Sequence, residues 1–271
     1  MKISFEVFPP KVELGVEHIY SCLDGLMAMK PEFISVTYSA GDAKKGLTAE
    51  VCGAIKQKYG IRPVSHLTCA GMDEESLKED LRILKDYGVD TILALRGDLT
   101  MDKKVGVFPH ATDLMAAINR IGGFTLCGAC YPEGHQESGT YYDDLTTLKR
   151  KYDLGVRTFI SQLFFDNADY LRMCDKAKKA CPDATFEAGI MPATNVRSLL
   201  RMVYLSGAKI PDAMKKIVDA YGADKTAMKE AGIEYAINQI NDLKKEGCDY
   251  VHFYTMDNVD VTQKVIGGIE L

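Results

Sequence analysis

The chain alternates short apolar runs with longer stretches in which apolar residues recur every three or four positions. Short runs rich in valine, isoleucine and phenylalanine are typical of β-strands, and the longer spacing is typical of helices that bury one face. The alternation predicts eight strands, at Ile3–Phe8, Phe33–Tyr38, Pro63–Cys69, Asp90–Arg96, Phe124–Tyr131, Arg157–Phe164, Thr185–Met191 and Tyr250–Tyr254.

A helical pattern follows every predicted strand, and two further helices, at about Asp212–Tyr221 and Lys225–Glu246, precede the eighth strand. Strands that alternate with helices favour a parallel sheet covered by helices. A doubly wound sheet is the competing architecture, but no G-x-G-x-x-G motif follows the first strand. Because 271 residues suit eight such units, we predict an α/β fold, a (β/α)8 TIM barrel, with residues 1–271 as a single domain.

Charge and composition narrow the class of protein. The formal net charge of −5 argues against nucleic acid or an anionic membrane surface as a partner, because both need a basic face. No apolar run approaches the roughly 20 residues of a membrane span. The first residues lead directly into a strand and do not resemble a signal peptide, so we expect a cytoplasmic protein.

The eight cysteines are dispersed along the chain. The one C-x-x-C motif, Cys127–Cys130, falls within the predicted fifth strand, where residues three apart point to opposite faces. Those two thiols cannot hold one metal ion while the strand stays regular. We therefore interpret the cysteines as small core residues, and predict neither a metal site nor a disulfide framework.

Polar residues gather where the predicted strands end. In a barrel these ends meet at one face, where the chemistry is carried out. Residues two apart in a strand share a face, which pairs Ser4 with Glu6 and Arg96 with Asp98. The polar residues at these ends are Glu6, Thr37, Tyr38, His66, Thr68, Arg96, Asp98, Tyr131, Gln162, His252 and Tyr254.

Glu6 is surrounded by apolar neighbours in its strand. It is either an inward-facing acid or a rim residue paired with a cation, and the neighbours favour the first interpretation. The stretch Leu93–Asp98 also has two interpretations. It is either a strand end with an Arg96–Asp98 ion pair and a turn glycine, or a cofactor site at which Gly97 admits a ligand close to the backbone.

One predicted helix adds a second group of candidates. Asp144, Thr147 and Lys151 are spaced at i, i+3 and i+7, so they lie on one helical face. An acid, a hydroxyl and an amine in a row could bind a sugar–phosphate chain, although a solvated charged face has the same pattern.

Nine short motifs, taken together and in order, resemble the methylenetetrahydrofolate reductase family, in its short bacterial form. Each motif alone is weak, but their order along nearly the whole chain is specific. The motifs are Ser4–Pro10, Ser35–Tyr38, His66–Cys69, Ala94–Leu99, Tyr131–His135, Leu148–Lys151, Gln162–Asp166, Gly189–Pro192 and His252–Thr255.

The resemblance implies a flavin enzyme that reduces 5,10-methylenetetrahydrofolate to 5-methyltetrahydrofolate. The implied flavin is FAD over the barrel mouth, and the implied electron donor is NADH. Some relatives receive electrons from a partner protein instead, and family members are often homo-oligomers.

The family's site residues carry over by position. Glu6 would be the general acid, because burial favours the proton-bearing carboxyl, and Asp98 would place negative charge near the flavin and a cationic folate intermediate. Gln162 and Thr37 would contact the substrate. The implied cofactor contacts are Thr37, Tyr38, His66, Arg96, Gly97, Asp98, Tyr131, His135, Asp144, Thr147, Arg150 and Lys151.

Three positions depart from the family pattern. Asn258 stands where an arginine helps to hold the substrate, and Ser198 and Met202 replace a glutamine and a phenylalanine. The alternatives are a flavin barrel with another substrate, such as a proline-dehydrogenase-like oxidoreductase, a catalytically silent subunit that binds a partner, and a flavin-free reductase that uses a nicotinamide directly.

Overall fold

The structure is a computed structural model that describes residues 1–10, 15–38, 46–98 and 105–270. All eight predicted strands are present and pair in parallel, in the order β1 to β8, and β8 closes the barrel against β1. The strands are β1 Lys2–Val7, β2 Phe33–Val36, β3 Arg62–Thr68, β4 Thr91–Leu95, β5 Thr125–Cys130, β6 Thr158–Ser161, β7 Thr185–Ile190 and β8 Tyr250–Tyr254. The prediction of a (β/α)8 barrel is confirmed.

Helices follow each strand, and two additional helices, α8 and α9, precede β8 as predicted. The helices are α1 Gly15–Met27, α2 Leu47–Tyr59, α3 Glu74–Asp86, α4 Ala111–Ile121, α5 Tyr141–Asp153, α6 Asn167–Ala180, α7 Val196–Ser206, α8 Asp212–Tyr221, α9 Lys225–Lys245 and α10 Val259–Gly267.

Several strands end earlier than the apolar pattern predicts. β6 ends at Ser161 rather than Phe164, and the apolar residues beyond it are divided between two clusters. Leu163 and Phe165 pack with Leu199 of α7 and Met214 of α8 in a small second core, whereas Phe164 belongs to the main core and stacks on Tyr170 of α6. The apolar run therefore marked burial, which helices rather than a neighbouring strand supply.

The barrel interior is apolar on one side and polar on the other. Residues from β2 to β6, namely Phe33, Val64, Leu93, Cys127 and Ile160, form the apolar side. The opposite side carries buried polar residues of β1, β2, β7 and β8, namely Ser4, Glu6, Ser35, Glu187 and His252. The polar side is where the candidate chemistry lies.

All eight cysteines are free thiols, and seven of them are buried, as predicted for core residues. Cys127 faces the barrel interior and Cys130 packs in the outer core, so they point to opposite faces. Among the described residues, no three histidine, cysteine, aspartate or glutamate side chains form a metal-binding group. None of the described helices combines the length and the apolar character that crossing a membrane requires.

Candidate active site

Glu6 lies near the C-terminal end of β1 with its side chain inside the barrel. Its carboxyl Oε2 is 3.5 Å from Nε2 of His66 and 4.0 Å from Nε2 of His252, and only 11% of the side chain is exposed. Among the described residues, Nε2 of His66 has no hydrogen-bond partner, and burial lowers the pKa of that imidazole. The structure thus shows an inward-facing acid with two imidazoles beside it, rather than a rim residue paired with a cation.

Beneath Glu6 the interior holds a chain of buried polar groups. The Ser4 hydroxyl donates to Oε2 of Glu187 over 2.5 Å and lies 2.7 Å from Nδ1 of His252. Nε2 of the same imidazole is 3.4 Å from the Ser35 hydroxyl. Burial raises the pKa of Glu187, and the nearby His252 and Ser4 oppose that shift.

A cavity of about 390 Å³ lies outside the barrel wall, where α5 faces the ends of β4 and β5. It brings together most of the cofactor residues that the resemblance implies. These are Arg96, Tyr131, His135, Asp144, Thr147, Arg150 and Lys151. The predicted helical face of Asp144, Thr147 and Lys151 therefore lines a cavity, in which Lys151 is buried and Thr147 is exposed.

Lys151 is the most unusual residue of this cavity. Its side chain is buried, and Nζ donates to the Ala129 carbonyl over 2.7 Å and lies 5.9 Å from the centroid of the Tyr131 ring. Burial lowers the pKa of this amine to about 8. A buried amine without a bonded anion is suited to an anionic ligand, since a ligand charge would offset the loss of hydration.

Arg96 reaches across the cavity to the loop after β5. Its guanidinium forms a two-bond pair with the Glu137 carboxylate, of which the Nη2–Oε1 bond is 2.8 Å. The interpretation of an Arg96–Asp98 ion pair is therefore wrong. Glu137 was not predicted from the sequence, because a charged residue in a loop carries no local signal of a partner 41 positions away.

Asp144 holds that same loop in place. Its carboxylate accepts hydrogen bonds from the His135 backbone amide and, over 2.7 Å, from the Ser138 hydroxyl. The His135 ring packs edge-on against Tyr131, with centroids 4.6 Å apart. Asp144 thus shapes the cavity wall from within the protein.

Gly97, two residues after the end of β4, adopts a left-handed conformation with φ of 81°. A Cβ at this position would lie 2.9 Å from Cβ of Thr68, so the glycine is required by its own backbone and by a neighbouring strand. The same turn breaks the strand alternation. Arg96 therefore lines the cavity while Asp98 is exposed and does not.

The remaining predicted residues are spread around the mouth. The Tyr38 hydroxyl donates to Asp80 of α3 over 3.1 Å, away from the cavity. Thr37 is half-buried at the end of β2. The Gln162 side-chain oxygen accepts from the Leu163 amide, and its NH2 group makes no hydrogen bond to the described residues. Asn258 caps α10 by accepting from the Val261 amide, so it is used structurally.

A buried acid at the C-terminal face of a (β/α)8 barrel, together with a cavity lined by Arg96, Arg150 and Lys151 at the ends of β4 and β5, defines the class as a barrel enzyme. The family model described as methylenetetrahydrofolate reductase matches residues 1–270, and the chain belongs to that family. It is therefore an enzyme, an oxidoreductase of folate one-carbon metabolism.

Two bacterial relatives match this chain along almost its full length. The 5,10-methylenetetrahydrofolate reductase of Pectobacterium carotovorum subsp. carotovorum is 32% identical over 267 residues, which cover 98% of this chain and 89% of that protein. The Escherichia coli (strain K12) protein of the same name is 31% identical over 265 residues, with the same coverage. The maize methylenetetrahydrofolate reductase (NADH) 1 is 32% identical, covering 94% of this chain and 46% of the maize protein.

One solved structure supports the fold alone. An uncharacterized protein from Clostridium thermocellum, described as binding two copies of 5-methyl-5,6,7,8-tetrahydrofolic acid, superposes with a TM-score of 0.70. The alignment covers 98% of this chain and 93% of that one, at 11% sequence identity.

Proposed function

We propose that the protein reduces 5,10-methylenetetrahydrofolate to 5-methyltetrahydrofolate, with Glu6 as the general acid. The observation that carries this proposal is a buried carboxyl at the mouth of a barrel of this family, with His66 and His252 at its side. A general acid must be able to reach the substrate, and Glu6 lies near the C-terminal end of β1, the face at which barrel enzymes carry out their chemistry.

The chemistry requires such a proton. Opening the five-membered ring of the folate breaks a carbon–nitrogen bond and leaves an iminium cation, and the leaving nitrogen must be protonated. Glu6 supplies that proton. Asp98 places a negative charge at the mouth, where it stabilises the cation, and the free NH2 group of Gln162 binds the pterin edge together with Thr37.

The side cavity suits the phosphate end of FAD. Lys151 and Arg150 supply positive charge, and the side chains of Thr147 and Arg150 have no hydrogen-bond partner among the described residues. Tyr131, His135 and Arg96 would hold the neighbouring part of the cofactor, and His66, Tyr38, Gly97 and Asp98 would contact its ring end. When bound, the flavin supplies the hydride.

NADH is the electron donor that we favour, because a relative at 32% identity is named for it. The alternative is a partner protein, which the replacements Ser198 and Met202 on α7 leave open. Single-domain behaviour over residues 1–271, homo-oligomerisation and a cytoplasmic location stay predictions.

The test begins with the visible absorption spectrum of the purified protein, followed by anaerobic addition of NADH and then of methylenetetrahydrofolate. We expect a flavin spectrum, bleaching by NADH and recovery by folate. Bleaching only by a chemical reductant, with normal recovery by folate, would indicate a protein donor. A colourless protein that still turns over with NADH would overturn the flavin proposal.

The substitution Glu6→Gln tests the acid. It should slow folate-driven flavin reoxidation by about 10²- to 10⁴-fold, the usual contribution of a general acid, while flavin binding and flavin reduction stay near normal. Glu133→Gln is the matched control, because Glu133 is equally buried in the loop after β5 but accepts from the Lys209 amide. If folate turnover survives in the Glu6 variant, the assignment is wrong.

A further inference from the structure

We propose that Glu187 is a proton reserve for Glu6, connected to it through Ser4 and His252. This inference rests on the proposed function, since it concerns how the acid regains its proton after each turnover. It assigns a role to a buried carboxyl that the folate chemistry itself does not use.

Strand register places the four residues in sequence along the barrel axis. Ser4 pairs with His252, and Glu6 pairs one pleat further towards the mouth with Tyr254. His252 also pairs with Gly189, so Glu187 lies one pleat closer to the N-terminal end of the strands. The order from base to mouth is therefore Glu187, then Ser4 with His252, then Glu6.

Hydrogen-bond geometry allows two arrangements of protons in this chain. When Glu187 is ionised, Ser4 donates to it, so Nδ1 of His252 must donate to Ser4 and Nε2 carries a lone pair. When Glu187 is protonated, it donates to Ser4, Ser4 donates to Nδ1, and Nε2 carries the hydrogen. The imidazole is neutral in both arrangements and differs only in tautomer.

Conversion of the second arrangement into the first delivers one proton to Glu6. The N–H bond at Nε2 of His252 breaks and an O–H bond forms on the Glu6 carboxylate. Nδ1 takes the Ser4 proton, and Ser4 takes the Glu187 proton. The sum is Glu187 carboxyl plus Glu6 carboxylate giving Glu187 carboxylate plus Glu6 carboxyl, with no electron transferred.

One link in this chain is longer than a hydrogen bond. The two links at Ser4 are already hydrogen bonds, whereas Nε2 of His252 is 4.0 Å from the Glu6 carboxyl. A movement of the carboxyl by about 1 Å brings that pair within hydrogen-bond distance. The Ser35 hydroxyl, 3.4 Å from Nε2, holds the ring in position.

The positions of Glu6 and Glu187 explain why a proton reserve would help Glu6 to regain its proton. Substrate and flavin would cover the mouth, so Glu6 has little contact with solvent while they are bound. Glu187 retains a small exposed fraction of 5% at the other side of the interior, and the charged groups that act on it are Arg62 and Glu32, with His252. A proton from solvent can therefore reload Glu187 from the N-terminal end of the barrel.

The first experiment needs no folate. In the oxidised flavoprotein, nitrogen-15 NMR of the His252 ring should show a change of tautomer from Nδ1–H to Nε2–H as Glu187 becomes protonated, above the ordinary carboxyl range. The change should vanish in Glu187→Gln and persist in Glu32→Gln, which removes a nearby exposed charge outside the chain. A His252 tautomer that does not change with pH would overturn the proposal, whether or not the enzyme reduces folate.

The second experiment separates one turnover from many. Chemically reduced Glu187→Gln should reoxidise with methylenetetrahydrofolate at the normal rate to within about twofold in a single turnover, because one turnover does not require the acid to be reloaded. Steady-state turnover should fall about tenfold, a modest fraction of a general-acid effect.

Ser4→Ala interrupts the same chain and provides an independent variant. Its single-turnover rate should stay near normal while its steady-state rate falls, as in Glu187→Gln. The steady-state rate of the double variant should be no lower than that of either single variant, because the two substitutions interrupt the same proton pathway. Equal losses in single and steady-state turnover, or additive losses, would mean that these residues only support the fold. A wild-type protein without folate activity would instead refute the proposed function and leave the NMR result to decide the inference.

Discussion

The barrel interior and the side cavity differ in how fully their charged and polar side chains are paired by hydrogen bonds. In the interior, Ser4, Glu187 and His252 form hydrogen bonds with one another, while Nε2 of His66, a fully buried atom, has no hydrogen-bond partner among the described residues. In the cavity, the buried Lys151 amine has a carbonyl oxygen as its hydrogen-bond partner, and the Arg150 side chain has no hydrogen-bond partner in the described part of the chain.

The difference follows from what each region must do. Groups that move a proton must already be aligned, because reorganisation during the reaction raises the barrier. Groups that bind an anion keep their hydrogen-bonding capacity for the ligand, and the buried amine is less stable until the anion arrives. Four further predictions test this contrast.

The largest effect is expected from Lys151→Met, which removes the amine and keeps the apolar stem. Affinity for FAD should fall about 10- to 100-fold, the value of a charge-assisted hydrogen bond to phosphate, while the interior chemistry is unchanged once flavin is saturating. Fluorescence titration of the flavin measures it. Lys149→Met is the control on the same helix, since that amine is exposed and pairs with Asp153; equal losses would refute the special role of the buried amine.

A smaller effect is expected from pH. The pKa of Lys151 is about 8 in the folded protein against 10.5 for the ordinary amine, so the charged form is disfavoured by burial. Stability of the flavin-free protein should therefore rise with pH between those values, because there the unfolded chain holds the proton that the folded chain has lost.

Flavin binding has the opposite dependence on pH. FAD needs the charged amine, so its affinity should fall as pH rises above about 8, by up to about tenfold per pH unit. Calorimetry near pH 9 in two buffers of different ionisation enthalpy should detect proton uptake on binding. Binding without proton uptake, or with the same uptake in Lys151→Met, would contradict the linkage.

The smallest effect is expected from Glu137→Gln, which releases Arg96 from its pair across the cavity. Because the pair is partly exposed, it stabilises the flavin-free form only weakly, and FAD affinity should rise by about two- to fivefold. Glu79→Gln, which breaks a comparable exposed pair with Arg82 on α3, should leave affinity unchanged. A loss of affinity would show that Glu137 itself contacts the cofactor.

Local patterns predicted much of this molecule. The two-residue period of β1 turned Glu6 and Ser4 inward, and the spacing on α5 placed Thr147 and Lys151 on one face. Strand ends were less predictable, because Leu163 and Phe165 after Ser161 pack against α7 and α8, and no local period shows that this contact replaces strand pairing.

The sequence by itself determined the eight strand–helix units, the inward acid and the face of α5, because strand and helix periods are local properties. Only the tertiary structure decided which residues meet. Ser4 forms hydrogen bonds with Glu187, 183 positions away, and with His252, 248 positions away. Arg96 pairs with Glu137 rather than with Asp98, which is only two positions along the chain. Barrel closure brings β1 against β8, and the turn at Gly97 separates neighbours in the chain, so partner choice depends on geometry that a sequence pattern does not contain.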